Sequence, residues 1–382
     1  MSLPCYDAGM RIVILAPDIE GRSGWSRYAV DLGKQLHAQG HELHCIVATK
    51  KSAPWCTRYR LLRQPTSYLN HAWLRTIDAW RLHRLLKKIQ PDIVHFMAEP
   101  YALLLPMLGT NPWRTCMTIH GTYSVLPFSY GNTTSTLFEE AYCRCNAIIS
   151  VSHFTKNYVK ERAPALFQKA ELEEKITVLH NAVDLARFPA TEKKRKTNER
   201  TIISVSAVKP KKGYMTAIDA IALFLKEHNI PLHHDIYGST ATSPHFIAEL
   251  RTHIKTLGLD KVVTLHGSVN DTTIEKAYAD ADVFLLPSLH DGDHFEGFGL
   301  VFLEANARGT PVIGTKTGGI PEAISDGISG YICPPEDVES IAKRLADILI
   351  HHKIDQEACR EWAQKHDVTH AGRALETIYQ SL

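Results

Sequence analysis

Apolar runs and helical stripes alternate along this chain, and their order sets its architecture. Residues 11–17 are apolar at almost every position, the pattern of a strand buried on both faces. A loop holding Gly21 and Gly24 follows. Tyr28, Ala29, Leu32 and Leu36 then recur near the 3.6-residue period, which predicts a helix ended by Gly40. Residues 44–48, 92–96, 116–120, 147–151 and 176–179 read as further strands. The stretch 191–200 has no apolar residue and reads as a solvated connector. Beyond it the pattern restarts with a strand at 201–205 and a helix from Tyr214 to about Glu227. Strands follow at 234–237, 262–265, 283–286, 312–314 and Gly330–Cys333. Strands alternating with helices on both sides of the connector predict two parallel, doubly wound sheets.

Length supports two domains, because 382 residues exceed the roughly 250–300 that one core holds. With 44% hydrophobic and 22% charged residues the chain reads as an ordinary globular enzyme. A net charge of only +2 gives no reason to expect a nucleic-acid partner. The eight cysteines are scattered without zinc-ligand spacing, which suits free thiols in a reducing compartment. No apolar run reaches about 18 residues, and residues 1–10 lack the apolar core of a signal peptide. A cytoplasmic protein is expected.

The candidate chemistry sits where predicted strands hand over to helices. The most informative segment is Glu296-Gly297-Phe298-Gly299-Leu300-Val301-Phe302-Leu303-Glu304, between the strands at 283–286 and 312–314. A glycine turn opening a helix near Leu300 aims unpaired amides and the helix dipole at one point, an anion site. Two carboxylates beside an anion site suit a nucleotide-sugar, whose diphosphate meets the amides while its hydroxyls meet the acids. Gly21-Arg22-Ser23-Gly24 lies after the first strand, either a close approach to phosphate or a simple turn. It lacks the three-glycine dinucleotide fingerprint. His120 follows a buried strand, where an imidazole would point into the cleft, although a lone histidine is more often structural. Lys209-Pro210-Lys211-Lys212-Gly213 offers point charges for phosphate, or a solvated charge run. Thr317-Gly318-Gly319-Ile320-Pro321 is another glycine turn at a helix start. Asp291-Gly292-Asp293 has a metal-binding pattern, but in a loop extension a polar lining is the better reading.

Together these residues resemble the family 4 retaining glycosyltransferases of the GT-B fold. Glu296 to Glu304 matches that family's Glu-x7-Glu pattern. Val178-Leu179-His180-Asn181-Ala182-Val183-Asp184 with Arg187-Phe188 resembles its inter-domain segment, and Thr310-Pro311-Val312 with Gly318-Gly319-Ile320-Pro321-Glu322 follows in the family's order. The resemblance implies an α/β GT-B fold of two doubly wound Rossmann-like domains facing an interdomain cleft, divided as 1–187 and 188–360, with a terminal helix at 361–382 returning to the first. It implies that Glu296, with the Phe298 and Gly299 backbone, holds donor-sugar hydroxyls and that Glu304 accepts from the ribose. The amides of Leu300 and Val301, with Lys212, would hold the diphosphate. Gly24 would let the first domain reach the phosphates, and His120 would lie beside the reacting sugar. Glu296, His120 and Lys212 are thus the expected catalytic residues, with no metal and no cofactor.

One departure stands out. The family's arginine five residues before the lysine is replaced here by Ala207, which leaves Lys209 or Lys211 to supply the missing charge. A same-fold epimerase and a catalytically silent binding homologue are the rivals. The expected partners are a nucleoside-diphosphate sugar and a hydroxyl acceptor, the acceptor met by loops such as Tyr123 to Asn132. Residues 67–89 read as one amphipathic helix carrying Trp73, Ile77, Trp80 and Leu85 among Arg75, Arg81, Arg84, Lys87 and Lys88. Such a helix covers a sheet with its apolar side or lies on anionic lipid, giving peripheral contact with a membrane's inner face.

Overall fold

The computed structural model describes residues 9–110, 112–189 and 199–382. Most of the polar connector at 191–200 and the first eight residues lie outside them. The chain forms two compact units: residues up to Ala182 with Val368–Leu382, and Val183–Asp367.

The first unit is a seven-stranded parallel sheet. Its strands are β1 (Arg11–Leu15), β2 (Glu42–Val47), β3 (Thr57–Arg60), β4 (Ile93–Phe96), β5 (Arg114–Ile119), β6 (Ala147–Ser150) and β7 (Ile176–Val178). Their order is β3-β2-β1-β4-β5-β6-β7. Ile12 and Ile14 of β1 are buried, flanked in register by β2 on one side and β4 on the other, as their unbroken apolar runs require. Val368–Gln380 is the last helix of this unit and packs on the Gly24–Ala38 helix at Gly372, where an added Cβ would come within 2.7 Å of the Gln35 Cβ. Its Tyr379 hydroxyl meets buried His95 Nδ1 at 2.5 Å, and His95 Nε2 meets Thr118 Oγ1 at 2.8 Å.

The second unit has six parallel strands: β8 (Arg200–Val205), β9 (Leu232–Tyr237), β10 (Val263–Gly267), β11 (Val283–Leu285), β12 (Val312–Thr315) and β13 (Gly330–Cys333). Their order is β10-β9-β8-β11-β12-β13. The Tyr214–Glu227 and Val338–Leu349 helices pack on each other, burying Ile218, Ile221, Ile341 and Leu345. The Gln356–Lys365 helix also belongs here, packed on Leu300–Ala307.

Two local readings change. Residues 67–89 are not one helix: Ser67–Asn70 and Ala72–Ile89 are separated by His71 in an extended conformation. The face of the longer helix that is buried carries Leu74, Ala79, Leu82, Leu86 and Ile89, whereas Trp73, Ile77 and Trp80 point to solvent. The reason is competition between two stripes. Leu82, Leu86 and Ile89 form their own i, i+4, i+7 set, and a stripe of leucines packs into a core more closely than one interrupted by bulky indoles.

Candidate functional site

In each sheet the strand order reverses once, between β1 and β4 and between β8 and β11. Chains leaving the carboxyl ends of two such strands diverge, and the crevice between them is where doubly wound sheets take ligands. Every residue singled out for donor chemistry in the second unit lies on a loop or helix start beyond β8, β11 or β12.

Beyond β8, Pro210–Lys212 makes one 3-10 turn, closed by Gly213 at φ +70°. A Cβ on Gly213 would sit 1.9 Å from the Pro287 carbonyl oxygen, so only glycine lets the lysine loop lie against the loop after β11. The Leu289 amide, donating to the Lys211 carbonyl at 2.7 Å, joins the two loops again. The result is an ion pair between Lys212 Nζ and Glu296 Oε2, both side chains mostly buried. Burial alone would raise the Glu296 pKa. The charge and hydrogen bond of Lys212, helped by Lys211, outweigh it and hold the carboxylate below its ordinary range. Lys211 is itself lowered, first by burial and then by its lysine neighbours, with Glu296 opposing.

The Glu296 backbone is pinned as well. Its carbonyl accepts from the Gly319 amide at 2.8 Å, and a Cβ on Gly318 (φ +56°) would strike the same oxygen. Gly299, at φ +96°, then opens the Leu300–Ala307 helix without a side-chain cap. The Phe302 amide returns to the Gly299 carbonyl at 3.0 Å. Leu300 and Val301 therefore carry the first amides at the positive end of the helix. Phe298 is 1% exposed, so only its backbone is available to a ligand. Glu304, one turn into the helix, accepts from the Tyr278 hydroxyl at 3.1 Å and stands 3.7 Å from Arg187. Lys209 precedes the 3-10 turn, its carbonyl accepting from the Lys212 amide at 3.0 Å. Asp291 closes a tight turn with His294 through reciprocal backbone hydrogen bonds of 3.0 and 2.8 Å.

In the first unit, Gly24 begins the Gly24–Ala38 helix, which Ser23 caps by accepting from the Ser26 amide. Among the described residues beyond its own helix and chain neighbours, none comes within 4 Å of where a Gly24 Cβ would be, so the space at this position is open. His120 follows β5. Its Nε2 lies 3.0 Å from the Met97 carbonyl, which makes Nε2 the protonated nitrogen, and burial lowers its pKa to about 4. The ring packs edge-on against Tyr28, with centroids 4.7 Å apart.

Glu99, a residue not singled out from the sequence, belongs to this cluster. It follows β4, is 1% exposed, and accepts the His120 amide on Oε1 at 2.6 Å. Its Oε2 has no hydrogen-bond partner among the described residues. Burial raises its pKa to about 7, while the amides of His120 and Gly121 and the Trp25 indole pull the other way. The sequence gives only a weak signal for it, an acid three residues past a buried strand.

Glu99 has a measurable consequence. Its proton is held more tightly in the folded chain than in the unfolded one. The stability it contributes is therefore fully present below about pH 4.5 and is lost as pH rises towards 7. His95 and His120, lowered by burial to about 3 and about 4, act in the opposite sense, costing stability as pH falls below about 6.5. In the difference between wild type and Glu99→Gln the histidines cancel. The variant is expected to gain, relative to wild type, on the order of 2–3 kcal/mol between pH 4.5 and 7.5. Urea unfolding at a series of pH values checks this, and a flat difference would show that the carboxyl ionises normally.

The loop after His120 passes through short 3-10 turns to Asn132, which caps the Thr133–Arg144 helix with a capping box. A cavity of about 600 Å³ opens here, lined by Asn70, Arg75, Tyr130, Asn132, Thr133 and Thr134 among others. Arg75 is buried and donates to the Tyr68 carbonyl (2.8 Å) and Thr134 Oγ1 (3.0 Å), so it fixes the wall.

Comparison with known proteins matches both units. Residues 22–187 match the model for Glycosyltransferase Family 4, and residues 188–366 match that for Glycosyl transferases group 1. WcaL of Escherichia coli (strain K12), which carries the name of a colanic acid biosynthesis glycosyltransferase, is 37% identical over 175 residues, covering 45% of this chain and 42% of WcaL. In that match the chain spans less than half the length of its relative. A GDP-mannose-dependent alpha-(1-6)-phosphatidylinositol monomannoside mannosyltransferase of Mycobacterium tuberculosis (strain CDC 1551 / Oshkosh) is 28% identical over 309 residues, 76% of this chain and 74% of that one. Among solved structures, Anabaena Alr3699/HepE in complex with UDP and glucose superposes with a TM-score of 0.74 at 18% identity, covering 98% of this chain and 100% of that one. That likeness establishes the fold, GT-B with two Rossmann-like domains.

Proposed function

The chain belongs to glycosyltransferase family 4, and from that premise we propose that it transfers a sugar from a nucleoside diphosphate to an acceptor hydroxyl with retention at the anomeric carbon. The observation that carries the proposal is the Lys212–Glu296 pair at the β8/β11 switch point, beside an uncapped helix start. On this reading a donor inserts its diphosphate between Lys212 and the amides of Leu300 and Val301. Glu296, released from Lys212, takes hydroxyls of the sugar together with the Phe298 and Gly299 backbone. Glu304, already oriented by Tyr278, accepts from the ribose.

Charge builds on the leaving diphosphate as the glycosidic bond breaks. Fixed amides and an ammonium stabilise that charge without reorganising, which is what lowers the barrier. No metal is required by this account. Neither glutamate acts as a nucleophile, because both are assigned to hydroxyls and not to the two sides of the scissile bond. With Ala207 in place of a guanidinium, Lys209 or Lys211 adds the second positive charge. Gly24 and His120 enter the proposal through the family resemblance, at the phosphates and beside the sugar. Acceptor hydroxyls suit the cavity walled by Asn70, Tyr130, Asn132 and Thr134.

The test is a panel of UDP-, GDP- and ADP-sugars screened by thermal shift, followed by turnover with candidate acceptors and NMR of the product. One donor should stabilise the protein and give a product with the donor's anomeric configuration. An inverted product would overturn the retaining mechanism. Reaction of donor with water alone would favour an epimerase, and binding without turnover across the panel a silent homologue.

A further inference from the structure

The Ala72–Ile89 helix spends only one of its faces on the fold. Leu74, Leu82, Leu86 and Ile89 are buried, while Trp73, Ile77 and Trp80 are 62%, 47% and 60% exposed. Spacing of i, i+4 and i+7 sets these three on one stripe, and the next turns of that stripe hold Arg84, Lys87 and Lys88, all exposed. The Arg84 guanidinium stands 4.9 Å over the Trp80 ring. The helix contains a single acid, Asp78, which is fully buried. It accepts from the Tyr68 hydroxyl at 2.8 Å and faces Arg81 at 3.3 Å and Arg63 at 3.7 Å. The outward surface is therefore apolar at its start, basic towards its end, and without a carboxylate of its own. Two solvated indoles beside an isoleucine are costly in water and mark a surface built to be covered.

We propose that this face seats the protein on an anionic lipid surface. Trp73, Ile77 and Trp80 enter the boundary between headgroups and acyl chains, and Arg84, Lys87 and Lys88 meet lipid phosphates. No helix among the described residues is long and apolar enough to cross a membrane, so this attachment is peripheral. Charge decides against a second copy of the chain as the occupant. A parallel two-fold pairing of this face on itself would set its arginines and lysines against each other, and an antiparallel one would set them against Trp73 and Ile77, in both cases with no acid of the helix to meet them. The inference is independent of the sugar-transfer reading, because it invokes neither donor nor acceptor.

Co-sedimentation of the full-length protein with vesicles tests it, using phosphatidylcholine alone and phosphatidylcholine mixed with phosphatidylglycerol. The wild type should pellet with the mixed vesicles, stay in solution with the neutral ones, and be released by salt. A double variant, Trp73→Ser with Trp80→Ser, and a second, Arg84→Glu with Lys87→Glu, should each bind at least about tenfold more weakly. Both should melt at the wild-type temperature, since these side chains lie outside the core. Failure of the wild type to bind mixed vesicles, or unchanged binding by the tryptophan variant, would overturn the proposal. So would a wild-type dimer in solution that the tryptophan variant converts to monomer, which would assign the face to a second copy.

Discussion

Glu296→Ala is expected to lower kcat/KM for sugar transfer by roughly 10²–10³-fold while leaving the fold intact. The expectation rests on how the residue is held. Its backbone is fixed independently of its side chain, by the Gly319 amide on its carbonyl and by the close approach of Gly318. Among the described residues its carboxylate pairs with Lys212. Removing the carboxylate leaves the mostly buried Lys212 ammonium without this partner, so some stability is lost as well and the variant is expected to fold with a lower melting temperature. The cost to catalysis is large on the proposed function, in which the carboxylate orients the sugar against the leaving diphosphate. Steady-state kinetics with matched melting curves separate the two. A well-folded variant with near-normal turnover would remove Glu296 from the site.

Gly213→Ala should be the most damaging of the small substitutions, costing more than about 3 kcal/mol and lowering the melting temperature by roughly 10 °C. Two effects combine. Residues with side chains disfavour φ near +70°, and here the new Cβ would also overlap the Pro287 carbonyl oxygen. The second effect can be isolated. Gly258 has the same φ of +70° with no atom near its Cβ position, so Gly258→Ala carries the conformational cost alone, about 1 kcal/mol. The difference between the two melting curves measures how tightly the lysine loop is pressed against the β11 loop. If both variants melt alike, the close approach at Gly213 does not set the position of Lys212.

Much of this arrangement was legible in the chain. The strands of both sheets announce themselves because a parallel strand covered on both faces needs consecutive apolar residues, as at Ile12–Leu15 and Val283–Leu285. Edge strand β3 does not, since Thr57-Arg58-Tyr59-Arg60 is only partly covered and carries no apolar run. The Glu296–Glu304 segment was legible because its glycines, acids and flanking strands are contiguous. Glu99 was not. Its meaning depends on β4 and β5 lying side by side, so that the amide of a residue 21 positions away meets its carboxyl. Gly213 was visible as a turn glycine, but its clash partner, Pro287, is adjacent only because β8 and β11 pair. The stripe of Trp73, Ile77 and Trp80 was visible too. Which side of the helix it would occupy depended on the competing leucines, a contest that periodicity alone does not decide.

On the proposed function, a helix start at Gly299, with Lys212 beside it, grips a sugar-linked diphosphate. Calorimetric titration of the donor selected by the panel, against wild type, Lys212→Ala and Glu304→Ala, tests it most directly. The account predicts saturable one-to-one binding that weakens at least about tenfold in each variant, with the free nucleoside diphosphate losing affinity alongside the sugar-linked form. Equal affinity in wild type and Lys212→Ala would contradict it.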